Sequence, residues 1–137
     1  MFRKIVETCI YSSELEKMKN FYVNSIGLEF VSEEPGRHVF LKAGRSMLLI
    51  FNPVSTTKKD GSIFPPHGAS TPPAIIHFAL EIEKQDCKGL KDALIRNGII
   101  IEKELTWGND TLKSIYFRDP AGNLVEFITK GNWPVED

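Results

Sequence analysis

The feature that most constrains the fold of this chain is an internal repeat of predicted elements. Each half reads as a strand, a helix and three further strands. In the first half the predicted elements are strand 2–11, a helix from Ser12 to Gly27, and strands 28–33, 38–42 and 46–51. In the second half they are strand 74–83, helix 86–97, and strands 99–104, 113–118 and 124–129. This order predicts an α+β fold of two tandem βαβββ modules.

The repeat is also visible in the residues. When Leu49 is placed on Glu126, segment 39–50 overlays segment 116–127 without a gap, and both the alternation and the turn agree. When Glu7 is placed on His77, a helix-ending glycine follows in both halves after one inserted residue is allowed. The two halves are therefore expected to have the same topology.

The segment between the halves has a different composition. Residues 52–73 hold five of the eight prolines, together with Gly, Ser, Thr and Lys. We therefore predict a first module at 1–53, a linker loop at 54–73 and a second module at 74–137, which together form one domain. A loop of this length is unusual in a compact domain, so it is also a candidate flap over a site. Its tip, 57–62, is expected to move, whereas its proline-rich part is expected to be ordered.

Charge and composition exclude several classes of partner. The formal net charge is −1 and no Lys/Arg-rich run is present, which argues against nucleic-acid binding. No apolar run is long enough to span a membrane, and the first residues lack a signal-peptide core. The two cysteines, Cys9 and Cys87, show no paired motif. These features predict a cytoplasmic protein with reduced thiols.

Four repeat-equivalent positions stand out because three of them carry metal-binding side chains. They are Glu7, Leu49, His77 and Glu126, each expected in the middle of a strand. Alternation places Glu7 and Glu126 on faces shared with apolar residues, so both carboxylates are expected to be buried. Neighbouring buried carboxylates repel one another, and a divalent cation would neutralise them. The pattern predicts a metal site formed by Glu7, His77 and Glu126.

Simpler interpretations remain open for each of these residues. Glu126 could be a surface acid on an edge strand, Glu7 could pair with a Lys or Arg, and His77 could be an ordinary core histidine. His67, in the proline-rich part of the linker, is either a solvent-exposed residue or a catalytic acid/base or substrate contact.

Three stretches resemble the vicinal oxygen chelate superfamily, which includes glyoxalase I, extradiol dioxygenases, and fosfomycin and bleomycin resistance proteins. They are residues 7–30, 74–82 and 116–127, with the sequences ETCIYSSELEKMKNFYVNSIGLEF, AIIHFALEI and YFRDPAGNLVEF. The resemblance implies paired βαβββ modules whose mixed sheet curls into a cup, with helices outside. It also implies metal ligands on the first and fourth strands of each module. In this chain those positions are again Glu7, Leu49, His77 and Glu126.

The resemblance implies a function as well as a fold. It suggests a homodimeric, metal-dependent enzyme of the lyase/isomerase or dioxygenase type, acting on a small oxygen-bearing substrate chelated by Mn, Fe, Ni, Co or Zn. Leu49 cannot bind a metal, which weakens a glyoxalase assignment, and Glu7 replaces the first histidine of the dioxygenases. The chain is most similar to small Glu-His-Glu members of the family. The alternative is a metal-independent protein that binds a drug or antibiotic.

Overall fold

A computed structural model describes Met1 and residues 3–57, 65–68 and 74–135. The chain divides into two compact units, Met1–Ile75 and Ile76–Asp137. Residue 2 of the predicted first strand, and most of the predicted linker at 58–64 and 69–73, lie outside the described residues. The predicted module boundaries remain predictions.

The first unit is a four-stranded mixed sheet with helices. Its elements are β1 (Glu7–Tyr11), α1 (Leu15–Asn20), a π-helical segment (Phe21–Ile26), β2 (Glu29–Glu34), β3 (His38–Ala43), β4 (Ser46–Phe51) and a single helical turn, α2 (Pro53–Thr56). The strand order is β1-β4-β3-β2. β1 runs parallel to β4, and the other two pairs are antiparallel.

The second unit repeats this plan. Its elements are β5 (His77–Ile82), a 3₁₀ turn (Lys84–Asp86), α3 (Cys87–Arg96), β6 (Lys103–Trp107), β7 (Leu112–Arg118) and β8 (Leu124–Thr129). The order β5-β8-β7-β6, with β5 parallel to β8, matches the first sheet strand for strand. The predicted α+β fold of two tandem βαβββ modules is confirmed. Among the described residues, no helix has the length and apolar character needed to cross a membrane.

One face of the first sheet forms the core of its unit. Residues that alternate along β1, β3 and β4 are buried on the side that α1 covers: Ile10, Val39, Leu41, Leu48 and Ile50. Met18 of α1 and Tyr22, which follows it, are fully buried. Since successive strand side chains point to opposite faces, the other face carries Glu7, Cys9, Tyr11, Leu49 and Phe51. We call this second surface the open face of the first sheet.

The first helix begins slightly later than the serine pair suggests. The Ser12 hydroxyl accepts a hydrogen bond from the backbone N–H of Glu14 at 3.0 Å, but the residue that caps α1 is Glu14 itself. The helix then widens into the π-helical segment and ends at Gly27, whose φ of +92° is readily adopted only by glycine. The predicted helix stop is therefore correct.

Three predicted strands begin too early. β1 starts at Glu7 and β5 starts at His77, so both residues open their strands and do not lie in the middle. The third correction concerns segment 99–102, predicted as the start of a strand that instead runs from Lys103 to Trp107. Ile99 donates its N–H to the carbonyl of Leu94 at 2.9 Å and so completes the end of α3.

The gapless overlay of the two hairpins is wrong by one residue. Leu49 pairs with Phe40, whereas the equivalent Glu126 pairs with Tyr116. The first hairpin turns directly between Ala43 and Ser46, but the second needs the longer loop 119–123. In that loop the Asp119 carboxylate accepts hydrogen bonds from two backbone N–H groups and from the Asn123 side chain, all at 2.8–2.9 Å. A slip of one residue exchanges the faces of a strand, so the counterpart of Tyr116 is Phe40 and not Val39.

The described parts of the predicted linker pack on the first unit. Asn52 caps α2 by accepting a hydrogen bond from the N–H of Val54 at 3.1 Å. His67 donates its backbone N–H to the carbonyl of Thr56 at 3.0 Å. The linker prediction missed α2, because a one-turn helix with a proline at its start leaves no periodic signal.

Candidate functional site

Glu126 occupies the centre of the second sheet. β8 lies between β5 and β7, and Glu126 pairs with Ala79 on one side and Tyr116 on the other. It is only 5% exposed. The interpretation of Glu126 as a surface acid on an edge strand is therefore wrong. A carboxylate this buried requires polar or charged partners.

His77 provides the first of these partners. Its Nε2 lies 3.2 Å from Oε2 of Glu126, and its Nδ1 lies 3.0 Å from the carbonyl oxygen of Leu124. A carbonyl can only accept, so Nδ1 carries a proton; in a neutral ring Nε2 then faces the carboxylate with its lone pair, whereas a protonated ring would donate to Glu126. The His77 side chain is 49% exposed, so one flank of the pair remains open.

This geometry fits two ligands of one divalent cation. Without a proton or a cation between them, Nε2 and the carboxylate would place two lone pairs against each other. Two ligand atoms with bonds of about 2.1 Å at angles of 90–110° lie about 3.0–3.4 Å apart, which includes the observed separation. A histidine that donates its other ring N–H to a backbone carbonyl is also the usual arrangement of a metal-bound imidazole. Within the described ranges, however, no group of three or more His, Cys, Asp and Glu side chains is arranged to hold a metal.

Glu7 belongs to the other unit, and its convergence with the pair remains a prediction. Glu7 is exposed on the open face of the first sheet, so the expectation that it is buried is wrong. The reason is its place at the first residue of β1, after a segment in which Ile5 and Val6 are also exposed. Leu49, the fourth repeat-equivalent position, is a buried apolar residue with no ligating atom.

Tyr116 is a site residue that the sequence reasoning missed. It pairs with Glu126 across the sheet, and its ring centroid lies 6.2 Å from that of His77. Burial raises the pKa of Tyr116, and a hydrogen bond to Glu126 raises it further, whereas a hydrogen bond involving Ser114 opposes the shift. The phenol therefore remains a donor toward the Glu126 carboxylate at neutral pH.

The polar contacts extend across the whole second sheet. The indole N–H of Trp107 donates to the Ser114 hydroxyl at 3.0 Å, and Ser114 lies two residues before Tyr116 on the same face of β7. A row of polar side chains thus includes members of all four strands: Trp107, Ser114, Tyr116, Glu126 and His77. The alternation of Ser114 and Tyr116 is visible in the sequence, but only the correct hairpin register connects it to Glu126.

On the first unit, His67 packs against the open face of the sheet. Its Nδ1 lies 2.5 Å from the Tyr11 hydroxyl, and its ring meets that of Phe51 edge-on with centroids 5.0 Å apart. Residues 65–68 thus include a side chain that contacts this face, and the predicted order of the proline-rich part stays a prediction. Proximity of His67 to the proposed metal ligands remains a prediction.

His38 and Cys9, two further side chains of this face that could react, are both partly buried. His38 stacks on Phe40 with centroids 3.9 Å apart, and burial lowers its pKa. Burial raises the pKa of the Cys9 thiol, and the nearby Glu7 carboxylate raises it further. A thiol with a raised pKa is a poor nucleophile, which argues against a catalytic role for Cys9.

Comparisons with known proteins agree with this architecture. Residues 4–127 match the model of the Glyoxalase/Bleomycin resistance protein/Dioxygenase superfamily. A crystal structure of a lactoylglutathione lyase from Agrobacterium tumefaciens is 36% identical, with a TM-score of 0.87, over 97% of this chain and 98% of that one.

More distant structures show the fold alone. A glyoxalase/bleomycin resistance protein/dioxygenase from Nocardioides is 19% identical, with a TM-score of 0.70, over 100% of this chain and 91% of that one. A virulence protein from Salmonella typhimurium is 20% identical, also with a TM-score of 0.70, over 94% and 98%. No match is found among curated proteins. The family match over most of the sequence, together with the repeated βαβββ topology, shows that the chain belongs to the glyoxalase/bleomycin resistance protein/dioxygenase superfamily.

Proposed function

We propose that the protein is a metal-dependent enzyme acting on a small organic substrate that carries neighbouring oxygen atoms. The observation that carries this proposal is the contact of His77 Nε2 with Glu126 at 3.2 Å, with Nδ1 directed to the carbonyl of Leu124. The proposed ligands are Glu7, His77 and Glu126. Two carboxylates and an imidazole suit Mn, Fe, Co, Ni or Zn.

The chain's own residues would prepare this site. The Leu124 carbonyl holds the imidazole with Nε2 free to ligate, and Tyr116 donates to the Glu126 carboxylate. Outer hydrogen bonds of this kind orient ligands before a cation arrives. A bound divalent cation would supply the positive charge that polarises a substrate carbonyl or stabilises an enolate.

We favour lyase or isomerase chemistry over oxygen insertion. The relative that is 36% identical is a lactoylglutathione lyase, which makes S-lactoylglutathione the first ligand to test. Leu49 replaces a ligand that glyoxalases usually carry, so the ligand set differs from theirs and dioxygenase-type chemistry remains the second option. His67 is proposed to contact the substrate.

A metal-independent binding protein is the alternative function. It is favoured by the open face of the first sheet, where Phe40 and the largely buried Leu49 and Phe51 stand in place of ligating side chains. Such a surface would hold the apolar body of a drug or metabolite without help from a cation.

We also propose that the protein acts as a homodimer in the cytoplasm. Large apolar side chains are exposed at Ile5, Ile100 and Trp133, as expected of a chain that associates with a second copy. Cys9 and Cys87 are both free thiols, which suits a reducing compartment. Sedimentation that shows a monomer of 15.5 kDa at micromolar concentration would contradict the dimer.

Metal titration of metal-stripped protein tests the leading proposal. Calorimetry with Mn²⁺ should show saturable binding that Glu126→Gln weakens at least about tenfold, because the change removes a ligand charge while keeping the shape. The variant should remain folded. Glu83→Gln is the matched control, since Glu83 is an exposed carboxylate just after β5, and it should bind Mn²⁺ like the wild type. Equal Mn²⁺ affinity in the wild type and Glu126→Gln would contradict the site.

S-lactoylglutathione separates the two functions. Under the leading proposal, its binding requires the metal and is lost in Glu126→Gln. Equally tight binding by the metal-stripped protein would favour the binding-protein alternative.

A further inference from the structure

The hydrogen bond between Tyr11 and His67 joins two residues that are 56 positions apart. Tyr11 ends β1 on the open face of the first sheet, and His67 comes from the loop that follows α2. The Tyr11 hydroxyl and His67 Nδ1 lie 2.5 Å apart, and the two ring centroids are separated by 5.6 Å. Such a short contact between side chains of distant segments requires both to be held in place.

Several independent contacts hold the histidine. Its backbone N–H donates to the carbonyl of Thr56, and the ring packs edge-on against Phe51. Gly68 lies against the Tyr11 ring so closely that an added Cβ would come within 2.6 Å of Tyr11 Cε1. The φ of Gly68 is +89°, which side chains other than glycine rarely adopt. His67 and Gly68 are thus both held against Tyr11.

The 2.5 Å contact favours the phenol as the donor in this hydrogen bond, because a phenol donates better than it accepts and an unprotonated imidazole nitrogen accepts strongly. Burial raises the pKa of Tyr11, and the Cys9 thiol adds to the shift, so the hydroxyl keeps its proton at neutral pH. A protonated phenol donates readily, and the neutral imidazole accepts through whichever nitrogen lacks a proton. With the phenol as the donor, Nδ1 is the acceptor.

This assignment determines which atom of His67 faces a ligand. With Nδ1 accepting from Tyr11, the ring proton resides on Nε2, at the opposite end of the imidazole. His67 is exposed, and within the part of the chain that the structure describes its only ring hydrogen bond is the one through Nδ1. The Nε2–H group is thus a fixed donor that remains available.

We propose that Tyr11 is a positioning residue that makes His67 a hydrogen-bond donor, through Nε2–H, to an oxygen atom of the substrate. His67 then stabilises negative charge that develops on that oxygen and does not act as a base. No proton leaves the imidazole in this role, because Tyr11 keeps its own proton. The identity of the ligand rests on the function proposed above, whereas the state of the imidazole does not.

Nitrogen NMR of the histidine rings tests the state of the imidazole without any ligand. In protein labelled with ¹⁵N-histidine, His67 should show the Nε2–H tautomer, with its signal identified by its loss in His67→Gln. Tyr11→Phe keeps the aromatic ring but removes the donor, and should shift His67 toward a mixture of tautomers. Tyr116→Phe, on the other unit, is the matched control and should leave the His67 signal unchanged. A wild-type His67 protonated on Nδ1 would overturn the proposal.

Gly68→Ala tests the same hydrogen bond without replacing Tyr11 or His67. The added Cβ should push the Tyr11 ring from its place and reproduce the NMR effect of Tyr11→Phe. An unchanged His67 signal in a folded Gly68→Ala protein would show that the pair is not held as described.

Ligand contact is tested with S-lactoylglutathione on the metal-loaded protein. Its addition should shift the His67 Nε2 resonance in the wild type, and this shift should shrink in Tyr11→Phe. No shift at His67 in the presence of the ligand would overturn its role as a donor. The Mn²⁺ titration of Glu126→Gln reports separately on the proposed function, so failure of one proposal can be distinguished from failure of the other.

Discussion

The open face of the first sheet and the face of the second sheet that carries Glu126 and Tyr116 share one backbone plan but differ in chemistry. At equivalent central positions the first sheet has Leu49 beside Phe40, whereas the second has Glu126 beside Tyr116. The first face is apolar and aromatic and receives its histidine from a loop. The second face carries a polar row and has its histidine at the start of β5. Topology is thus repeated while the side chains that could bind a ligand have diverged.

The difference follows from where each sheet must be packed. In the first sheet, the residues facing α1 are apolar and form the core of that unit, as Ile10, Leu41 and Ile50 show. On the opposite face the first sheet buries Leu49 at the position where the second sheet buries Glu126. A βαβββ unit is therefore stable with either kind of open face.

Glu126→Leu gives the largest expected effect, because it makes the second face resemble the first. Mn²⁺ affinity should fall by about 100-fold or more, since a ligand is lost and a buried apolar group replaces it. Calorimetry on metal-stripped protein measures this. Circular dichroism should show an intact fold, because the change also removes a buried charge. Retention of wild-type Mn²⁺ affinity would mean that Glu126 does not ligate.

Leu49→Ala is the converse experiment on the first face. Leu49 is 8% exposed, so truncating it should cost about 2–3 kcal/mol in the free energy of unfolding. Urea denaturation measures this loss, and Mn²⁺ affinity should stay at the wild-type value. A fall in Mn²⁺ affinity without loss of stability would show that the two faces do not have the separate roles described.

Tyr116→Phe tests whether the polar row serves the metal ligand. Removal of the hydroxyl leaves the ring in place but takes away the donor to Glu126, so Mn²⁺ affinity should drop about tenfold. The matched control is Phe40→Leu at the equivalent position of the first sheet, with no expected change in affinity. Equal Mn²⁺ affinities for the wild type and Tyr116→Phe would show that Tyr116 does not support the metal ligands.

Gly68→Ala should have the smallest effect on the protein as a whole. A side chain at φ of +89° is strained, and displacing the Tyr11 ring adds to this, so unfolding should become easier by about 1–2 kcal/mol. Thermal denaturation measures the shift. Gly36→Ala is a control for strain alone, because Gly36 also has positive φ but an added Cβ meets nothing within 4 Å. An equal loss in both variants would show that contact with Tyr11 contributes nothing to stability.

Local patterns in the sequence predicted much of the fold. Alternation, turn residues and the two helix-ending glycines predicted the order of the main strands and helices, and the central place of Glu126 followed from the repeat. Boundaries were less accurate, as at Glu7 and His77, because the apolar residues before them resemble strand residues although they lie outside the strands.

The repeated βαβββ plan was predictable from residue patterns alone, since it depends on periodicity over a few residues in each element. Alternation placed both Glu7 and Glu126 among buried residues, and the position of β8 inside the sheet made this true of Glu126 only. Packing of the folded chain sets the hairpin register that brings Tyr116 to Glu126 and the contact of His67 with Tyr11. The register depends on how Asp119 organises its loop, and the second contact joins segments that are 56 positions apart. Periodicity reports which face of an element is apolar, but contacts between distant side chains depend on the packing of whole segments.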